Sequence, residues 1–472
     1  MPLVPRPAID ALQRIGGTRV GAAVGRRAFR GVIRAIAADL GRIRDVRSVN
    51  LTGSWTHPVA AAPGYSDVDL LLTVDVPTLA RELELRESLH AVQRRWNSVA
   101  KFLKHLDYLE HRDVELFLRG GDYYWLDARA RYASLVGNLG TGPVERVHRS
   151  PTVARVSSCL RRWMHVSPVL MDPTFVRDDA ITRRAAARLL TGVLTMRLDV
   201  DPLTPFEDLI DRARSEVPEA RDLDPSIARG PTGELVEHHL VVALRVLDAF
   251  CADVTRDFED ASADDAAQRE EFARFDEAAR SVGFAGGTIA EVPPPADTVV
   301  ACVLTDDDAL TSVRRLRSNW STIALPERLL APGNNRPALV TRNLWRAAGL
   351  FWPMPECGDA LARASSAFGA PNRLPDDVRD AILATRTLHL FHRSRGHAFR
   401  VDRSPEAKLN KLRADLTSLA PHLRTLRSAP PLDLPRLNAD ATESVLLERL
   451  RDVLDVERDY LARTLGLAGT SS

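Results

Sequence analysis

Two aspartates two residues apart on an otherwise apolar segment, Asp67-Val68-Asp69-Leu70-Leu71-Leu72, are the first chemistry the chain offers. On a β-strand, alternate side chains share a face, so Asp67 and Asp69 point one way while Val68, Leu70 and Leu72 point the other. Two such carboxylates repel each other unless a cation sits between them. A hard divalent ion with oxygen ligands, Mg²⁺ or Mn²⁺, is the expected partner. An isolated D-x-D is more often a solvated strand edge, so its neighbours decide. Upstream, the β-type run 46–52 ends in Gly53-Ser54. Glycine lets backbone approach a ligand closely, and a serine hydroxyl beside free N–H groups suits a phosphate. Downstream, Asp113-Val114-Glu115 repeats the acid–apolar–acid pattern inside an apolar run that reaches Leu118. Glu115, flanked by Val114 and Leu116, is the preferred third acid. Asp113 follows Arg112 and could simply pair with it, so the choice between the two acids stays open.

These residues need a sheet to hold them. The first strand is read at 46–52, the second at 67–74 and the third at 113–118. Pro77 opens a long amphipathic helix whose stripe runs from Leu79 through Leu89 and Trp96 to Leu106. Strands separated by helices predict an α+β mixed sheet with helical cover over residues 1–150. Helical spacing recurs at 152–167, 178–198 and 233–251, giving a helical domain over 151–290. A break near Pro293-Pro294-Pro295 opens a mostly helical region, 291–472, with a strand at 298–304, a helix starting at Ser404-Pro405-Glu406 and a last helix over 441–465.

Composition limits the possibilities. The 472 residues are 45% hydrophobic and 27% charged, as in a globular chain. Lys+Arg number 64 against 63 Asp+Glu, so the whole chain lacks the broad positive field of a dedicated nucleic-acid binder. Only four of those 64 are lysine (Lys101, Lys104, Lys408 and Lys411), so cation chemistry falls to arginine, a fixed and bidentate charge. Within the first fifty residues ten arginines face three aspartates. Four scattered cysteines form no zinc or disulfide pattern, no run is long and apolar enough to span a bilayer, and the N-terminus lacks a secretory core. A cytoplasmic protein with no membrane attachment is expected.

Leu51-Thr52-Gly53-Ser54, twelve intervening residues, Asp67-Val68-Asp69 and the later Val114-Glu115-Leu116 together resemble the nucleotidyltransferase superfamily of DNA polymerase β, the aminoglycoside nucleotidyltransferases and the minimal nucleotidyltransferases. The resemblance covers about residues 20–250. It implies a nucleotidyltransferase-type mixed sheet followed by a helical domain, with Asp67, Asp69 and Glu115 as catalytic metal ligands for Mg²⁺ or Mn²⁺. Gly53 and Ser54 would grip the nucleotide's phosphates. Many relatives carry a lysine on the helical domain facing the triphosphate; the similar stretch 182–190 has none, which leaves Arg184 or Arg188 for that task.

The expected activity is transfer of a nucleoside monophosphate, most simply AMP from ATP, to a hydroxyl of a small-molecule or protein acceptor, with release of pyrophosphate. The alternatives are a non-catalytic nucleotide-binding regulatory protein on the same fold and a nucleic-acid 3′-end nucleotidyltransferase, and nucleic acid stays open as a partner. No P-loop signature occurs. A glycosyltransferase D-x-D normally ends a hydrophobic strand, whereas Asp67 begins one. His389, His392 and His397 lack a matching carboxylate, adjacent His238 and His239 cannot share a helix face, and the aromatic cluster 345–354 reads as core packing.

Overall fold

In a computed structural model, the described residues are 19–52, 55, 68–99, 105–114, 116, 133–139, 151–173, 180–200, 204–224, 232–256, 288–291, 301–305, 308–318, 338–341, 343–344, 347 and 441–465, with isolated helical positions 406, 409–410, 412–413 and 416. The chain divides into two compact units. One comprises Met1–Val147 with Thr387–Ser472, the other His148–Arg386. The C-terminal helix therefore belongs with the first part of the chain, not with residues 291–386.

The first unit opens with helix α1 (Arg19–Gly41) and strand β1 (Val46–Thr52), then β2 (Asp69–Val74), α2 (Leu79–Val99), β3 (His105–Glu110) and β4 (Ala133–Val136). The sheet order is β3-β2-β1-β4. β1 runs antiparallel to β2 and to β4, while β2 and β3 are parallel. A parallel pair needs a crossover, and α2 supplies it. The fold is thus α+β with a small mixed sheet, as expected.

One sheet face is apolar because the strand alternation makes it so. Val49 and Leu51, Leu70, Leu72 and Val74, and Leu106 and Tyr108 point into one core with Ile33, Ile36, Ala37 and Leu40 of α1 and Leu85, Leu89 and Val92 of α2. The other face is polar. Ser48 and Thr73 share a hydroxyl–hydroxyl bond of 2.7 Å, and the Asn50 amide donates to Ser48 Oγ and the Leu71 carbonyl. Ser134 of β4 donates to Asn50 Oδ1 at 2.9 Å. Buried polar groups persist only when paired, so this ladder fixes which strands pair and in what register.

Helix α3 (Glu443–Thr464) of the first unit starts on Thr442, whose side chain caps it. Its arginines hold down α2 and the end of β3. Arg451 donates to Glu82 Oε2 at 2.7 Å and to the carbonyls of Val76 and Pro77. Arg86 reaches Glu443, and Arg458 grips Asp113.

In the second unit, α4 (Pro151–Met171), α5 (Ala180–Leu198), α6 (Phe206–Glu216) and α7 (Thr232–Arg256) are followed by β5 (Thr288–Glu291), β6 (Ala301–Thr305), α8 (Ala309–Ser318) and β7 (Ala338–Thr341). The strands form a separate sheet, β5-β6-β7, tied to α4 by the Trp163 indole donating to the Leu339 carbonyl at 2.7 Å. Among the described residues no helix is long and apolar enough to cross a membrane.

Candidate functional site

β1 ends at Thr52, and the described residues on either side of Gly53-Ser54 are both pinned. Thr52 Oγ1 donates to the Asp69 carbonyl at 3.3 Å, and Thr52 pairs with Asp69 in the ladder. On the far side Trp55 is buried and stacks on Phe29 of α1, with centroids 5.4 Å apart. Gly53 and Ser54, between these anchors, lie outside the described residues, as does Asp67. Asp69 is described. It begins β2, half-buried, on the polar face, opposite the core face that takes Val68 and Leu70.

The third strand is not where the alternation 113–118 placed it. It spans His105–Glu110, and the segment after it turns at once into a 3₁₀ helix, His111–Asp113, with Val114 and Leu116 helical as well. Asp113 is fully buried and held by Arg458 of α3, whose Nε and Nη2 meet its two oxygens at 2.5 and 3.1 Å. Both carboxylate oxygens of Asp113 are thus engaged in a buried ion pair. Glu115 lies outside the described residues, and the described residues on either side of it, Val114 and Leu116, are helical.

An acid that sequence reasoning passed over takes the place beside Asp69. In the parallel ladder Asp69 pairs with His105 and Leu71 with Asp107. Asp69, Leu71 and Asp107 therefore share a face, and Asp107 lies one strand over and two residues along from Asp69. Leu106-Asp107-Tyr108 is itself an acid between two large hydrophobics. The signal was present but hidden, because Leu103 and Leu106 extend the helical spacing of α2.

Tyr108 fixes Asp107 from behind. Its hydroxyl donates to Glu82 Oε1 at 2.6 Å, and Glu82 accepts from Arg451 through its other oxygen. Glu82 is 2% exposed, so this Tyr–Glu–Arg chain is a paired buried charge joining β3, α2 and α3. With Tyr108 locked into the core, Asp107 must face away from it.

Among the described residues no group of three or more His, Cys, Asp or Glu is placed to hold a metal ion. Asp69 and Asp107 nevertheless supply hard oxygen donors on one face, and Asp67, two residues before Asp69, is the third candidate. That donor set fits Mg²⁺ or Mn²⁺ and not a soft metal.

Arg184 and Arg188 both fall on α5 of the second unit. The Arg184 side chain lies outside the described residues, and Arg188 is exposed. Beside Arg188 lies a cation the sequence did not suggest. Arg162 of α4 donates to the Arg188 carbonyl at 3.4 Å and crosses Gly192, where a Cβ would fall 1.9 Å from its Nη1. A larger residue there would make that guanidinium move aside.

Cys159 and Cys251 are free and buried, and burial pushes the Cys159 thiol up to about 12 and that of Cys251 well above its ordinary value. Neither is a nucleophile at neutral pH. His239 is buried on α7 and held neutral. His389, His392, His397 and the aromatic segment 345–354 fall outside the described residues, apart from the backbone at Ala347.

No family model, curated protein or solved structure matches the chain.

Proposed function

We propose that the first unit binds a nucleoside triphosphate with Mg²⁺ or Mn²⁺ and transfers the nucleoside monophosphate, most simply AMP from ATP, to a hydroxyl of a small-molecule or protein acceptor. The observation that carries the reading is the pair Asp69 and Asp107 on one face of adjacent parallel strands, next to the strand that ends in Thr52-Gly53-Ser54. The order of parallel and antiparallel pairs in the sheet supports it too.

Asp67, Asp69 and Asp107 would hold the divalent ions, with Asp107 taking the part first expected of Glu115. The bound ions supply charge neutralisation at the phosphates and a template for in-line displacement. The protein's share is positioning. Thr52 and Trp55 are held on either side of Gly53-Ser54, which would receive the phosphates, and the Tyr108–Glu82–Arg451 chain fixes the strand that carries Asp107. Oxygen of the acceptor hydroxyl bonds to the α-phosphorus as the bond to the pyrophosphate oxygen breaks. The hydroxyl proton passes to a carboxylate on this face or to solvent. Arginines, far more numerous than lysines here, must meet the charge of the leaving pyrophosphate.

The test is pyrophosphate release by the full chain with each of the four nucleoside triphosphates, Mg²⁺ or Mn²⁺, and panels of metabolites, proteins and tRNA. Labelled transfer to one acceptor, lost with Asp69→Asn, supports the reading. Nucleotide binding without release on any panel favours a regulatory protein instead.

A further inference from the structure

Helix α1 presents a face that its own fold does not use. Ile33, Ile36, Ala37 and Leu40 are buried to 1% or less and fix the helix on the sheet. Flanking that buried face, Arg27, Arg30 and Arg34 are exposed. Their spacing of three and four residues puts them on one stripe. None of the three has an ion-pair or hydrogen-bond partner among the described residues.

Most other described arginines of this unit are paired, Arg44, Arg94 and Arg463 excepted. Arg47 holds Asp75, Arg81 holds Asp45 and Glu84, Arg95 holds Asp39, and Arg451 holds Glu82. The lone acid of α1 is Asp39, and it is already taken: Arg42 and Arg95 pair with it, and the Trp96 indole donates to it at 2.8 Å. Among the described residues no carboxylate therefore neutralises the stripe. The exposed residues beside the arginines are Ala28, Gly31, Ala35 and Ala38, and a Cβ at Gly31 would meet nothing within 4 Å. A bulky, charged backbone can approach closely there.

Three cations over seven residues of helix span about 10 Å. Successive phosphates of one nucleic-acid strand advance about 3.4 Å each along the axis, so roughly three phosphates fall within that length. Guanidinium groups meet phosphates bidentately, and rigid attachment to the sheet lowers the cost of ordering them. We propose that the Arg27–Arg30–Arg34 stripe of α1 is a docking surface for the phosphate backbone of a nucleic-acid strand. The near-zero net charge of the whole chain does not oppose this, since binding of this kind depends on the local field.

The experiment is fluorescence anisotropy of the full chain with labelled RNA and DNA oligonucleotides, single-stranded and duplex, over a series of salt concentrations. The wild type binds, and affinity falls with salt. The triple variant R27A/R30A/R34A binds at least about tenfold more weakly, and its log K against log[salt] slope is shallower by about 2 for a single strand and nearly 3 for a duplex. A control, R214A/R221A/R463A, removes equal charge at exposed arginines elsewhere and keeps the wild-type slope. Circular dichroism checks folding of both variants. The proposal is overturned by absence of binding at low salt, or by equal slopes for the two triple variants. It also falls if polyglutamate or phosphatidylserine vesicles bind as tightly and with the same dependence on the stripe. None of the three arginines belongs to the Asp69–Asp107 face, so failure here leaves the transferase reading standing, and the reverse holds.

Discussion

Asp107 lies on the same sheet face as Asp69, opposite Leu71 in the parallel β2–β3 ladder and two residues beyond the His105 that pairs with Asp69. Under the proposed function, Asp69→Asn and Asp107→Asn should each lower nucleotide transfer by about a thousandfold or more, because several kcal/mol of stabilisation by the proposed divalent ions would depend on those oxygens. Glu115→Gln should keep activity within about tenfold. Initial rates of pyrophosphate release, with thermal unfolding as the folding check, decide it. A large loss at Glu115 and a small one at Asp107 would return the third acid to its first assignment.

Much of this unit could be read locally. β1 was expected at 46–52 and is found at Val46–Thr52, and the last helix, expected over 441–465, is Glu443–Thr464. Both carry a period that their own residues display. The third strand was misplaced because two six-residue segments compete for it. His105–Glu110 alternates core and polar positions as a strand should, but it continues the leucine spacing of the preceding helix. Residues 113–118 alternate just as well in sequence. What separates them is Arg458, 345 positions away, whose guanidinium draws Asp113 into a buried pair and the chain into a helical turn. No local pattern carries that information.

The same pair sets a stability prediction. Asp113 is 0% exposed, and Arg458 Nε and Nη2 hold its two oxygens. Arg458→Ala leaves a buried carboxylate without its bidentate partner, which costs about 3–5 kcal/mol. The denaturant midpoint should fall accordingly. Arg458→Lys should recover only part of the loss, since an ammonium cannot match both oxygens. Arg449→Ala, in an exposed pair with Asp452 on the same helix, should change stability by about 1 kcal/mol or less.

Glu457 is the opposite case on the same helix. It is fully buried, and neither carboxyl oxygen has a hydrogen-bond partner among the described residues. Burial alone raises its proton affinity well above the ordinary 4.5. The unfolded chain releases this proton near 4.5, while the folded chain keeps it. Its contribution to stability is therefore complete below pH 4.5 and is lost as pH rises toward the folded value. Glu457→Leu removes both the buried polar group and the titration, so it should stabilise by about 1–3 kcal/mol. The gap between variant and wild type should widen from about pH 5 to pH 8 in chemical denaturation. A constant or shrinking gap would contradict a protonated, unpartnered Glu457.

His239 gives the mirror-image limb. It is 8% exposed on α7, its Nδ1 is buried without a hydrogen-bond partner, and His238 lies beside it with ring centroids 6.2 Å apart. Burial first, and the neighbouring imidazole second, push it down from 6.5 to about 4. The depressed value means the neutral ring contributes stability above pH 6.5, and that contribution is lost as pH falls through about 4. Over the whole range the loss is on the order of 3 kcal/mol. His239→Phe keeps the ring's bulk without its charge, so unfolding of the second unit should become less sensitive to pH between about 6.5 and 4. His238 is only half-buried and its own proton affinity is also lowered, chiefly by burial. His238→Gln should therefore flatten the acid limb much less, and it should raise the His239 value by removing a like charge. Histidine proton chemical shifts across the titration separate these two effects. A His239 that titrates at its ordinary 6.5 would show that the ring is hydrated in solution.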